Sequence, residues 1–135
     1  MYTVAEGMQP LPVPQAMTMA DIKTAIAEFV RAATNGIAAD FDGIELHAAN
    51  GYLLEQFIRP SSNQRTDAYG GTIRNRVRFV LEVVDATIAA IGKERVGIRL
   101  SPFGVFNDMP VHPEMSSDYG YLTARLAGPI GSAHL

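Results

Sequence analysis

The sequence predicts an α/β chain that forms part of a (β/α)8 TIM barrel, truncated at both ends. Three observations carry that expectation. Helix-like and strand-like stretches alternate along the chain, the order that parallel strands need because each return to the sheet requires a helical crossover. Both strand-like stretches, "GIELHA" and "RVGIRLS", are apolar at alternate positions and charged or small at the others. A doubly wound sheet meets helices on both faces and would have no place for Glu45 and Arg99, whereas a barrel offers an inward face that holds a few polar groups. The third observation is length: 135 residues fall short of the roughly 250 that a whole barrel takes, so residues 1–135 are expected to be a single partial segment.

The elements follow in order. Residues 1–17 carry Pro10, Pro12 and Pro14 in alternation, which forbids a helix interior and predicts an extended lead-in that reads as a loop. Thr18 and Asp21 have capping-box spacing, and a first helix should start there and run to about Ala39. Its core stripe is Ile22, Ile26, Phe29, Val30, Ala33 and Ile37. Residues 43–48 form the first strand, with Ile44 and Leu46 on one side and Glu45 and His47 on the other. Ala49 to Gly71 reads as one long connection, too long to be an idle link. Thr72 can cap a second helix whose face is Val77, Val80, Leu81, Val84, Ile88 and Ile91, and Gly92 stops it. Arg95 to Ser101 repeats the strand design and Pro102 closes it, which puts Glu45, His47, Arg99 and Ser101 inward. "SSDYGYLTARLA" predicts a short third helix capped by Ser116 or Ser117. The final "SAHL" reads as the start of another strand.

Composition narrows the chemistry. A net charge of −3 gives no general attraction to phosphate backbones or anionic membranes, so neither nucleic acid nor membrane is an expected partner. The absence of cysteine removes disulfides, thiolate catalysis and zinc–thiolate sites. No apolar run approaches a membrane span and no signal-peptide pattern opens the chain, so a cytoplasmic location is expected. Arg65, Arg74, Arg76 and Arg78 lie among Asp67, Glu82 and Asp85 and are read as structural ion pairs. Glu45 and His47 share a strand face, but no further Asp or His stands at other strand ends to complete a metal site; no metal is expected.

The run "FDGIELHAANGYLLEQFIRPSSNQRTDAYGGTIRNRVRFVLEVVDA", followed by "VGIRLSPFGVF", closely resembles the old yellow enzyme family of FMN-dependent ene-reductases, also described as NADH:flavin oxidoreductases. The likeness extends from about Gln9 to Leu135. It rests on H-A-A-N-G-Y, S-S-N-Q-R-T-D-x-Y-G-G and G-I-R-L-S-P occurring together in family order. The resemblance implies the middle of a barrel, about strands four to six with their helices. It implies non-covalent FMN as cofactor, NADPH or NADH as reductant, and a small-molecule activated alkene, such as an α,β-unsaturated carbonyl or nitro compound, as substrate.

Residue by residue, the resemblance makes His47 and Asn50 the donors to the substrate's carbonyl or nitro oxygen. Two such donors act like an oxyanion hole, at about 3–4 kcal/mol each. Tyr52 matches the acid that protonates the α-carbon, a task for a phenol that keeps its proton at neutral pH. Arg99 matches the cation beside the electron-rich edge of the flavin ring, and Phe106 a pocket-lining aromatic. Plain alternatives stand beside each. His47 as a strand-end residue fits a structural hydrogen-bonding role, Tyr52 a core residue with a wet hydroxyl, and Arg99 an ion pair with Glu45 inside the barrel. His112 and His134 match nothing catalytic and read as surface loop and strand start.

Two departures from the family pattern are visible. Asp40 stands at a left-handed position where glycine is usual, and Arg74 stands near a helix start where an acid is common. Missing strands would carry most FMN contacts, including the phosphate site. A second expectation therefore concerns the 135-residue chain on its own: a catalytically inactive fragment with bare strand edges, open to self-association and unable to hold FMN alone.

Overall fold

The computed structural model describes residues 2–3, 7–8 and 13–130; the expected strand start at "SAHL", His134, Pro10 and Pro12 lie outside these. Strands β1 (Tyr2–Thr3) and β2 (Gly7–Met8) pair antiparallel, with Gly7 at φ 72. Part of the lead-in is thus a small pairing and not only loop, made accessible by a glycine in the left-handed region. Helix α1 spans Met19–Ala38 and opens on the expected capping box. The Asp21 amide donates to Thr18 Oγ1 at 3.2 Å, and the Thr18 amide donates to Asp21 Oδ2 at 2.7 Å. The donated Thr18 hydrogen bonds hold the Asp21 carboxyl below its usual range. Past the helix end Asp40 adopts φ 69, the left-handed conformation its position demands.

Strands β3 (Ile44–Ala48) and β4 (Val96–Leu100) pair in parallel, with Ile44 opposite Val96, Glu45 opposite Gly97 and His47 opposite Arg99. Leu46, Ala48, Val96, Ile98 and Leu100 are buried, while Glu45, His47 and Arg99 are exposed. The apolar side is covered by helices and the polar side is open. This is the layering of a barrel segment, helices outside and polar residues inward.

Helix α4 (Arg78–Ile91) supplies the centre of the core through Phe79, Val80, Val83 and Val84, all fully buried. It packs along α1 and over the sheet. A short α3 (Ile73–Arg76) precedes it, separated only by Val77. Thr72 stands at the N-cap but its side chain makes no cap bond; only its carbonyl takes part, receiving the Asn75 and Arg76 amides at 2.9 Å. Gly92 ends α4 at φ 90 as expected.

Two expectations need correction. The connection from Ala49 to Gly71 contains a helix, α2 (Leu53–Ile58), because Leu53, Leu54, Phe57 and Ile58 recur at helical spacing inside a segment otherwise rich in turn residues. The rest of it is ordered by its own side chains. Asn63 Nδ2 donates to the Phe57 and Tyr69 carbonyls at 2.7 Å each, and Arg65 pairs with Asp67 at 2.6 Å. A Cβ on Gly70 would stand 2.0 Å from the Arg65 carbonyl oxygen, so only glycine fits there. Secondly, α5 runs Met115–Ile130, longer than expected and starting before both serines. Met115, Tyr119, Leu122 and Leu126 form its buried stripe, and anchoring Met115 draws the helix start forward.

Phe79→Ala should therefore destabilise the fold by about 3–5 kcal/mol, and Thr18→Ala by about 1 kcal/mol, read as the shift in denaturant midpoint at unchanged slope.

Candidate active-site rim

The open face of β3 and β4 and the loops leaving their C-terminal ends hold the residues that the sequence singles out. β3 delivers His47 one residue before its end, and its register partner on β4 is Arg99. Both side chains are exposed. After Ala49 the chain turns through two consecutive left-handed residues, Asn50 at φ 57 and Gly51 at φ 74. This turn brings Tyr52 back beside the strand, so its ring centroid lies 5.3 Å from that of His47, tilted by 54°. Tyr52 is 51% exposed, and Asn50, between the two in sequence, is half-buried. Glu45 faces Gly97, and no Glu45–Arg99 ion pair occurs among the described residues. The guanidinium of Arg99 is thus free of that structural role.

The loop after β4 closes one side of this rim. A short turn, Phe106–Asp108, contains two more left-handed residues, Asn107 at φ 55 and Asp108 at φ 56. Asn107 Nδ2 donates to the Asn50 carbonyl at 2.9 Å. A Cβ on Gly51 would stand 2.8 Å from that of Asn107 and 3.1 Å from the Phe106 carbonyl, so the loop lies directly on Gly51. The Phe106 ring is 61% exposed, in company with exposed Phe103 and Val105.

Beneath the rim lies a polar network that the sequence did not announce. Glu55 is 1% and Arg59 0% exposed. Glu55 Oε2 accepts the Gly51 amide at 2.7 Å and the Ser101 hydroxyl at 2.9 Å, while Oε1 accepts Arg59 Nε at 3.0 Å and the Tyr119 hydroxyl at 2.6 Å. The remaining Arg59 donors reach the Pro110, Ser101 and Gly104 carbonyls and the Met115 sulfur. A buried charge pair of this kind is tolerable only because each partner is fully hydrogen-bonded. Ser101 departs from expectation here: it lies past the end of β4, and its hydroxyl turns away from Arg99 toward α2 and the 49–51 turn. The available signal was the i,i+4 spacing of Glu55 and Arg59 within "LLEQFIR".

A second buried cluster corrects two further readings. Arg76 pairs with Asp118 on α5, not with Asp67, Glu82 or Asp85. It also donates to the Ile58 carbonyl at 2.8 Å and the Gly71 carbonyl at 2.6 Å. His112 is no surface-loop residue; its Nε2 lies 3.0 Å from Asp118 Oδ2 because the loop before α5 folds inward. Arg78 donates to the Ala68 carbonyl, and Glu82 accepts the Tyr69 hydroxyl at 2.8 Å. Of the expected ion pairs, Arg65 with Asp67 is present.

Among the described residues no group of three or more His, Asp or Glu is arranged to hold a metal ion, and no helix is long and apolar enough to cross a membrane.

Comparison with known proteins gives a consistent outcome. Residues 3–127 match the model of the NADH:flavin oxidoreductase / NADH oxidase family. The chain is 59% identical over 100 residues to a probable flavin mononucleotide-dependent alkene reductase of Leishmania infantum, covering 74% of this chain and 27% of that protein. Its fold is similar to the old yellow enzyme homologue of Zymomonas mobilis, with TM-score 0.86, 37% identity, and coverage of 91% of this chain and 34% of that one. It is also similar to the old yellow enzyme of Pichia sp. AKU4542, with TM-score 0.77, 45% identity, and coverage of 84% and 31%. The chain thus spans about a third or less of the length of these relatives.

Burial, followed by the hydrogen bond to the Glu55 carboxylate, pushes the Tyr119 phenol well above its ordinary value. A phenol whose folded pKa is raised leaves the unfolded chain with fewer bound protons above pH ~10, so stability is intact below that pH and falls as pH rises through it. Replacement by phenylalanine, Tyr119→Phe, should flatten this alkaline loss, as read from unfolding free energies between neutral and alkaline pH.

Proposed function

The chain belongs to the NADH:flavin oxidoreductase / NADH oxidase family, and on that premise we propose that it forms the substrate-binding rim of an FMN-dependent ene-reductase that uses NADPH or NADH to reduce activated C=C bonds. The observation that carries this reading is the meeting of His47 and Tyr52 at 5.3 Å across the Asn50–Gly51 turn, with Arg99 opposite His47 on the neighbouring strand.

The donor set fits the ring end of a flavin. Arg99 supplies an exposed guanidinium without a described ion-pair partner, and it would hold the electron-rich edge of the ring, where a fixed cation would favour negative charge. On this reading the chain's part is recognition of the ring and of the substrate. FMN, when bound, would supply the hydride for the alkene β-carbon. His47 and Asn50 hold the substrate's carbonyl or nitro oxygen and stabilise the negative charge that develops on it. Tyr52 holds the proton at its phenol oxygen and delivers it to the α-carbon. Phe106, on the loop that rests on Gly51, presents an apolar surface at the side of the site.

A second reading concerns the 135-residue chain in isolation. The β3–β4 sheet has two strands with open edges among the described residues, and an isolated parallel pair has little independent stability. Under this reading the chain alone does not retain FMN and is catalytically silent.

The experiment begins by desalting the purified protein after incubation with FMN, which separates the two readings by retained yellow colour. In the flavin-retaining protein, Tyr52→Phe should slow alkene reduction by about 10²-fold or more and leave reduction by the nicotinamide nearly unchanged. The double variant His47→Ala/Asn50→Ala should weaken enone turnover and the binding of a phenol inhibitor together. Equal loss in both half-reactions for Tyr52→Phe would remove the phenol from the proton-donor role.

A further inference from the structure

The turn that separates His47 from Tyr52 suits its Asn-Gly sequence, and it is also held from beneath. Asn50 sits at φ 57, a region that asparagine enters more readily than other residues with side chains, and its surroundings add a demand of their own. Here the demand comes from below. The Asn50 amide donates to Ser101 Oγ at 2.8 Å, and the Ser101 hydroxyl in turn donates to Glu55 Oε2 at 2.9 Å. The next amide, Gly51, donates to the same carboxylate oxygen at 2.7 Å. One buried oxygen therefore gathers two successive peptide N–H groups, one directly and one through a single hydroxyl. Successive N–H groups of left-handed residues point to one side, and an anion placed there fixes both. The carboxylate cannot turn away, because its other oxygen is held by Arg59 and Tyr119.

We propose, resting on the ene-reductase reading above, that Ser101 and Glu55 are positioning residues: they set the Asn50–Gly51 turn from beneath and so determine where the Asn50 carboxamide and the Tyr52 phenol stand relative to His47. Neither touches the substrate. Ser101 is the cleaner handle, since it is small and half-buried, and its removal leaves the Glu55–Arg59 pair intact. Ser101→Ala deletes both the acceptor for Asn50 and the second donor to Glu55 Oε2; Ser101→Thr keeps both.

Amide hydrogen exchange on the full chain, resolved by residue, tests the turn without reference to bound flavin. In the unsubstituted protein the Asn50 and Gly51 amides should be protected. In Ser101→Ala the Asn50 amide should exchange about tenfold faster, with Leu46 and Ile98 unchanged, and Ser101→Thr should restore it. The same variants are then assayed as flavin-loaded enzyme. Ser101→Ala should lower kcat/KM for the alkene by about tenfold without slowing reduction by the nicotinamide, again with recovery in Ser101→Thr. Unprotected Asn50 and Gly51 amides in the parent, unchanged Asn50 exchange in Ser101→Ala, or equal slowing of both half-reactions would each overturn the proposal. The expected exchange pattern in a protein that reduces no alkene would uphold the positioning of the two amides and overturn the enzymatic reading on which their purpose rests.

Discussion

The buried carboxylate of Glu55 and the guanidinium of Arg59 are the interaction on which the rim depends. Four separate stretches converge on this pair: the 49–51 turn after β3, helix α2 with its C-cap, which carry Glu55 and Arg59, the loop from Ser101 to Pro110 after β4, and the start of α5 through Met115 and Tyr119. Bulk water does not compete for these contacts, since both side chains are essentially without exposure. Removing one partner would leave a naked charge in the interior, which costs far more than the pair contributes over an apolar substitute. The pair is therefore better understood as a device for specifying loop geometry than as a source of net stability. It holds two loops and a helix start in a fixed relation at the end of the strands, where the chemistry would take place.

The strands contribute a second constraint of a different kind. Parallel pairing in the observed register sets His47 beside Arg99 and keeps Glu45 against Gly97. A slip of one residue would carry the polar set into the apolar core beneath α1 and α4. The hydrophobic residues Leu46, Ala48, Ile98 and Leu100 thus fix, by their burial, which polar side chains share the open face. The proposed function follows the same division: the helices and the apolar strand face build the barrel segment, and on that proposal the polar face with its loops would carry the recognition chemistry.

Much of this was legible in the sequence because it rests on local periodicity. The Thr18–Asp21 box, the stripes of α1 and α4, the stop at Gly92 and the alternation within both strands each declare themselves within a few residues. What was not legible depends on contacts far apart in the chain. Ser101 alternates with Arg99 as though inward, yet its hydroxyl is claimed by Asn50 and Glu55, 51 and 46 positions away. Asp118 drew no attention in the sequence, yet Arg76 and His112 both meet it in the folded chain. Helix α2 was hidden because Pro60, Ser61 and Ser62 follow it so closely that the whole stretch read as loop. Within the rim, His47, Asn50, Tyr52 and Arg99 were singled out through the family resemblance alone, and the left-handed turn at Asn50 and Gly51 was not foreseen.

The most direct measurement of the central interaction is a double-mutant cycle between Glu55 and Arg59, with unfolding free energies of Glu55→Leu, Arg59→Met and the double variant. Each single change should cost about 3–5 kcal/mol. The double variant should fall short of their sum by about 2 kcal/mol or more, because deleting both charges removes the unpaired ion that each single change leaves behind. Strictly additive losses would contradict a coupled buried pair at the base of the rim.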